Sequence, residues 1–312
     1  MIDIRFAAID IGSNSTNLLV TDASGATIER IVRSTRLGEG TTSTGLLSVA
    51  AIDRTISCIA EYAVLIKSHN ATHQRVVATA ACRLARNTAE FFTKVKDTTN
   101  LEPELITAAQ EGDLAFRGAT SRFVGTESQK SLVIDIGGAS TELMIGGKTL
   151  TTAVSLPYGA VTISESQLHR DPPRPEELTN AISLVSDAVD DVAHNYPEIG
   201  QVDRVIGIAG TIVTVAAIEL GLKVFDPNKL HEMLLSRKAV EDVFRTLATE
   251  SLQNRVFNPG LPRDRADIIV GGCCVLVAVM RRLQISEIVV SQHNLLDGII
   301  DGIIESLRDQ HQ

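Results

Sequence analysis

The chain has 312 residues, is 44% hydrophobic and 21% charged, and carries a net charge of −9. That length exceeds what one hydrophobic core usually supports, so two domains are expected. Aromatics make up only 4%, and Trp is absent. With the acidic balance, this argues against base-stacking platforms and against the basic footprint that nucleic-acid binding needs. A polyanionic substrate would need local Arg or Lys and a divalent cation to overcome the charge.

The first residues, with Asp3 and Arg5, lack the apolar core of a signal peptide. Residues 6–32 alternate as two or three strands around an Ala23-Ser24-Gly25 turn, and residues 36–47 are a Gly/Thr/Ser-rich loop. Apolar residues at 52, 56, 59, 63 and 66 predict a helix from Val49 to Ile66. Gln74 to Thr79 reads as a buried strand, Ala80 to Asn87 and Ala89 to Thr98 as helix, Leu105 to Thr107 as strand, and Glu111 to Gly118 as helix. The polar run 121–130 marks a domain boundary.

The second half repeats the plan. Leu132 to Ile136, Glu142 to Ile145 and Thr149 to Leu156 form a meander. Pro175 suits the first turn of a helix over Glu176 to Asn195. A strand from Arg204 to Ala209 leads into a helix from Thr211 to Leu220. Helices at 237–249, 264–282 and 297–308 follow, with a strand from Glu287 to Ser291. Such an order indicates α/β domains with mixed sheets. The longest apolar run, Ile268 to Met280, is too short for a membrane span and reads as a buried helix. Cys58, Cys82, Cys273 and Cys274 make no C-x-x-C pair and read as buried thiols of a reducing cytosol. The expectation is a cytoplasmic protein with no membrane and no nucleic-acid partner.

Ile9-Asp10-Ile11-Gly12-Ser13-Asn14-Ser15-Thr16-Asn17-Leu18 recurs as Ile134-Asp135-Ile136-Gly137-Gly138-Ala139-Ser140-Thr141-Glu142-Leu143. Extended to Val20 and Ile145, seven of the twelve aligned positions are identical. Each copy reads as strand, Asp, small-residue turn, strand. The turn lets backbone N–H groups approach a phosphate, and the Asp either holds a metal or water or stabilises its turn. A third glycine turn, Gly207-Ile208-Ala209-Gly210-Thr211, opens a helix whose free N–H groups suit an anion. Neither a P-loop nor a G-x-G-x-x-G after a strand is present. Glu111 is either a dipole-stabilised helix residue or a base. Arg83, in a locally basic stretch, is either solvated or a phosphate contact. His231 and His293 lack metal-ligand spacing.

These motifs resemble the actin/Hsp70/sugar-kinase superfamily. More specifically, they resemble the exopolyphosphatase and guanosine pentaphosphate phosphatase (Ppx/GppA) family, in its short two-domain form. The resemblance rests on Asp10 to Ser15, Ala78-Thr79-Ala80 with Arg83 and Asn87, Gln110-Glu111 before Leu114, Asp135 to Leu143, Gly207 to Thr211, and Arg265-Ala266-Asp267. It departs from the family at Ala139, where a third glycine is usual, and at Asn294 to Gly298, where an Arg is missing. It also lacks the extra helical domains of long members.

The resemblance implies an α/β, actin-like duplicated fold with two ribonuclease-H-like domains flanking a phosphate-binding cleft. The domains would be residues 1–125, with 297–312 packing back on them, and residues 126–296, hinged for closure. It implies a phosphoanhydride hydrolase that removes terminal orthophosphate from inorganic polyphosphate. The alternative is hydrolysis of guanosine pentaphosphate, the stringent-response nucleotide. Glu111 would be the base. Gly12, Ser13, Asn14, Ser15, Arg83, Gly137, Gly138, Ala139, Ser140, Gly207, Gly210 and Thr211 would bind phosphate. Asp135, Glu142 and Asp10 would hold Mg²⁺, or Mn²⁺ in its place. A homodimer is also implied. A kinase of the superfamily would use an Asp base and an adenosine pocket, and a non-catalytic sensor would have lost Glu111.

Overall fold

The computed structural model describes residues 4–123 and 129–309. The boundary expected at 125/126 lies outside the described residues. The chain divides into two compact units, Met1–Ser121 with His293–Gln312, and Arg122–Gln292. The second crossing thus comes a few residues before the expected 296/297. His293 and Asn294 already bond to Asp297 at the head of the last helix, which ties them to the first unit.

The first unit is built on strands β1 (Arg5–Ile11), β2 (Ser15–Asp22), β3 (Thr27–Ser34), β4 (His73–Ala78) and β5 (Pro103–Leu105). Their order in the sheet is β3-β2-β1-β4-β5. β1, β2 and β3 form an antiparallel meander, while β4 and β5 run parallel to β1. A short helix α1 (Thr41–Thr44) lies in the Gly/Thr-rich loop. It precedes α2 (Val49–Ser68), α3 (Ala80–Leu84), α4 (Thr88–Thr99) and α5 (Ala108–Thr120). Ser48 caps α2 through Ala51 N. The periodic apolar face of α2 buries Ile52, Ile59, Tyr62 and Ile66 against Ile9, Ile11, Leu18 and Val20. Tyr62 satisfies its buried hydroxyl on the Thr16 carbonyl at 2.9 Å.

The opposite side of this unit holds α5 against the C-terminal helix Leu295–Asp309. Two glycines make the crossing possible. A Cβ on Gly118 would lie 1.9 Å from the Asn294 carbonyl oxygen, and one on Gly298 would lie 1.9 Å from that of Leu114.

The second unit repeats the pattern. Its strands are β6 (Ser131–Ile136), β7 (Thr141–Gly146), β8 (Leu150–Leu156), β9 (Arg204–Ile208), β10 (Leu234–Ser236) and β11 (Glu287–Val290). They lie in the order β10-β11-β9-β6-β7-β8. The meander β6-β7-β8 with parallel β9 matches β1-β2-β3 with parallel β4. The helices are α6 (Ala160–Gln167), α7 (Pro175–Asn195), α8 (Ala209–Glu219), α9 (Pro227–Leu230), α10 (Arg237–Thr249), α11 (Leu252–Arg255) and α12 (Ile269–Arg282). The apolar run 269–280 is buried along its whole length. The single helix expected over 264–282 is instead a 3-10 turn, Arg263–Arg265, followed by α12. All four cysteines are free and buried. No helix among the described residues is long and apolar enough to cross a membrane.

Candidate active site

In each unit the sheet brings its loops to one edge. β1, β4 and β5 are parallel, with Ile11 beside Ala78 and Ala78 beside Leu105. Their C-terminal ends therefore deliver the Gly12–Ser15 turn, the Thr79–Ala80 segment and the head of α5 together. In the second unit β6 and β9 are parallel, with Asp135 beside Ile208. The Gly137–Ser140 turn and the Ala209-Gly210-Thr211 segment leave the sheet side by side. In open α/β sheets this carboxyl edge is where ligands bind.

The two hairpin turns share one construction. Gly12 N donates to Ser15 O at 2.9 Å, and Gly137 N donates to Ser140 O at 3.0 Å. Their carbonyls are pinned from the segment after the third strand. Ser13 O accepts from Gly38 N, and Asn14 O accepts from Thr35 N and Arg36 N. Gly137 O accepts from Ala160 N, and Gly138 O accepts from Val161 N. The N–H groups of Ser13, Asn14, Gly138 and Ala139 take no part in this bonding. With carbonyls tied down and amides left over, both turns have the character of an anion-binding nest. Both polar atoms of the buried Asn14 amide also lack a protein hydrogen-bond partner.

Asp10 stands opposite Asn17 in the β1–β2 ladder, and Asn17 Nδ2 donates to Asp10 Oδ2 at 3.0 Å. Asp10 Oδ1 is buried without a partner. Burial, and then the charge of Glu111, push the Asp10 carboxyl up to about 7 against the Asn17 hydrogen bond.

Glu111 lies in the first turns of α5. Thr107 and Gln110 form the capping box there, Thr107 Oγ1 accepting from Gln110 N and Gln110 Oε1 from Thr107 N. Gln110 therefore closes the helix end, and Glu111 is left to other work. Arg83, carried by α3, donates Nη1 to Glu111 Oε2 at 2.6 Å and to Ile106 O at 3.1 Å. Burial raises the Glu111 carboxyl above the usual carboxylate range, and the Arg83 guanidinium pulls the other way. Arg83, read from the sequence as a phosphate contact, thus has the Glu111 carboxylate as its ion-pair partner.

In the second unit Asp135 and Glu142 face each other across β6 and β7. Glu142 is buried and accepts from Ser155 Oγ at 2.9 Å. Gly207 lies inside β9, where a Cβ would sit 2.6 Å from Ile288 Cγ2, so packing accounts for it. At Gly210 a Cβ would sit 2.0 Å from Arg265 Nη1, placing that guanidinium on the first turn of α8. Ala209, a non-glycine residue, holds φ 66 there, a strained conformation of the kind that accumulates at functional sites. Thr211 is buried and backs onto α12, where a Cβ on Gly272 would meet its Cγ2 at 2.6 Å. A cation beside a helix N-terminus is an unfavourable pairing that an anion would relieve. In the sequence, Arg265 carries no site signal beyond its place in Arg265-Ala266-Asp267.

Among the described residues no three His, Cys, Asp or Glu side chains cluster into a ready-made metal cage. The carboxylates are hard oxygen donors, one pair is set face to face, and Asp10 presents a buried oxygen with no partner. The Asp135–Glu142 pair fits Mg²⁺, which keeps several waters and would be completed by substrate phosphate.

The comparisons with known proteins agree with this architecture. Residues 18–307 match the model of the Ppx/GppA phosphatase family. The chain belongs to that family. It is 32% identical over 312 residues to exopolyphosphatase 2 of Mycobacterium tuberculosis, covering 95% of this chain and 97% of that protein. It is 29% identical to the guanosine-5'-triphosphate,3'-diphosphate pyrophosphatase of Photobacterium profundum, covering 97% of this chain but 60% of that protein. The crystal structure of the Aquifex aeolicus Ppx/GppA family member superposes with a TM-score of 0.79 at 29% identity, over 99% of both chains. The chain has the two-unit α/β fold of that family, and the protein is a phosphoanhydride hydrolase.

Proposed function

We propose that the protein releases terminal orthophosphate from inorganic polyphosphate by metal-assisted attack of water. The observation that carries the choice of substrate is the end-to-end match to a protein named an exopolyphosphatase. The low aromatic content supports it, because a guanine base would gain from a stacking platform. In this reading Glu111, half-buried and steadied by Arg83, accepts the proton of the attacking water. The amides of the Gly12–Ser15 and Gly137–Ser140 turns, and Gly210 and Thr211 at the head of α8, are the phosphate-binding groups of their units. Arg265 and Arg83 add positive charge. Asp135 and Glu142 would hold Mg²⁺ or Mn²⁺, directly or through water, and Asp10 is the symmetric candidate on the first unit. Bound there, the metal would supply charge neutralisation on the transferring phosphoryl group. The protein works in the cytoplasm as a homodimer.

The second reading is hydrolysis of guanosine pentaphosphate, favoured by the guanosine-type relative. Orthophosphate release, measured with malachite green on polyphosphates of several lengths, guanosine pentaphosphate and ATP, separates the two. The proposal predicts the highest kcat/KM on polyphosphate. A clear preference for guanosine pentaphosphate would replace it with the second reading.

A further inference from the structure

The two hairpins share register and turn bond, but they differ opposite the aspartate. Opposite its aspartate the second hairpin carries a carboxylate, Glu142, whereas the first carries an amide, Asn17. The Asn17 amide is not idle. Its Nδ2 donates to Asp10 Oδ2 at 3.0 Å, which fixes the plane of that carboxylate. Two acceptor oxygens are left over, Asp10 Oδ1 and Asn17 Oδ1, both buried and both without a protein donor. An acceptor buried in that way costs free energy unless something brings it a hydrogen.

We propose that Asn17 is a positioning residue, holding Asp10 so that Asp10 Oδ1 and Asn17 Oδ1 accept from one water molecule in the first hairpin. The inference rests on the hydrolase reading of the site and adds to it a division of labour between the two turns. The second hairpin offers two carboxylates to a divalent cation. The first offers one carboxylate and a neutral amide, beside a glutamate already paired with Arg83. Donor count and charge there suit a water better than a bare cation. The water contributes two hydrogens to two acceptors, and its oxygen lone pairs remain free to face a metal ion or a phosphoryl group.

Two variants test this, each with two readouts. Asn17→Leu removes the donor that fixes Asp10. It should lower kcat by about 10-fold or more, the scale on which outer-shell partners act, with KM for polyphosphate little changed. Asn17→Asp is isosteric and sets a second carboxylate against Asp10. It should make the substrate-free protein hold one more Mn²⁺ tightly than wild type, as counted by electron paramagnetic resonance. A kcat within about twofold of wild type for a folded Asn17→Leu would overturn the proposal. So would an unchanged Mn²⁺ count for Asn17→Asp. Loss of a tightly held Mn²⁺ in Asn17→Leu would also overturn it, because the pair would then hold the cation itself. Should the leucine variant fail to fold, the isosteric aspartate carries the test alone. The Mn²⁺ count needs no substrate, so it stands even if phosphate release fails and the hydrolase reading falls with it.

Discussion

Arg83 Nη1 lies 2.6 Å from Glu111 Oε2 and 3.1 Å from the carbonyl of Ile106, so one guanidinium ties the proposed base to the segment leading into its own helix. The pair sets both the position of the carboxylate and its protonation. Burial alone would hold Glu111 neutral further up the pH scale, and Arg83 works against that.

Replacing the base tests its role most simply. Glu111→Gln keeps size and the hydrogen bond to Arg83 but cannot take a proton. We expect kcat to fall by roughly 10² or more, with KM nearly unchanged, in steady-state phosphate release. An unaffected kcat would remove Glu111 from the mechanism.

Arg83→Met should move the pH profile. The base must be ionised, so activity rises with pH through the Glu111 pKa. Without the guanidinium that pKa goes up, and the acidic limb of kcat/KM should shift to higher pH. A limb that stays in place would mean that Arg83 does not tune Glu111.

Asp297 provides a stability prediction away from the turns. It is 3% exposed and accepts from Arg30 at 2.6 Å and His293 at 2.8 Å, as well as from Asn294 N. Burial alone would raise its carboxyl, but these partners hold it down to about 2. A carboxyl depressed on folding adds stability that is fully present above its unfolded value and lost as pH falls through its folded value. The contribution should therefore fade between about pH 4 and pH 2. Asp297→Asn should cost about 1–3 kcal/mol at neutral pH, since it removes the buried, charged acceptor of the half-buried Arg30 guanidinium, and the gap to wild type should close with acid. Denaturant melts across that range would show it.

The α5 crossing gives a paired prediction. Gly118→Ala forces a methyl against the Asn294 backbone and should cost at least about 1–3 kcal/mol. It should also disturb activity, because α5 carries Glu111. Gly302→Ala lies on the C-terminal helix that faces α5, where a Cβ meets nothing within 4 Å, and should be neutral or slightly stabilising. Equal melting temperatures for the two variants would contradict the close approach.

Much of this was legible in the residues. The repeated Asp-Ile-Gly segments became two hairpins with the same turn bond, because register and small residues are local properties. Helix α10 kept its expected limits and α7 began one residue earlier, at Pro175, since periodicity and a proline define them. Short elements escaped. α6 and β10 are too brief to show a period, and Thr107, read as strand, is the cap of α5. Partnerships across long separations escaped as well. Nothing in the neighbourhood of Arg83 announces Glu111, and Arg30 meets Asp297 only because β3 and the C-terminal helix fold into one unit. The Asp10–Asn17 pair lies between. Its register follows from the hairpin, but the orphan oxygens appear only once burial is known.

The central claim is metal-dependent hydrolysis of a terminal phosphoanhydride with Glu111 as base. Its most direct test is orthophosphate release from polyphosphate by wild type, Glu111→Gln and Asp135→Asn across an Mg²⁺ titration. The account predicts turnover that vanishes on exhaustive chelation and returns with Mg²⁺ or Mn²⁺. Glu111→Gln should be slow at every metal concentration, and Asp135→Asn should approach wild type only at much higher metal. Full activity after chelation, or wild-type rates from Glu111→Gln, would contradict it.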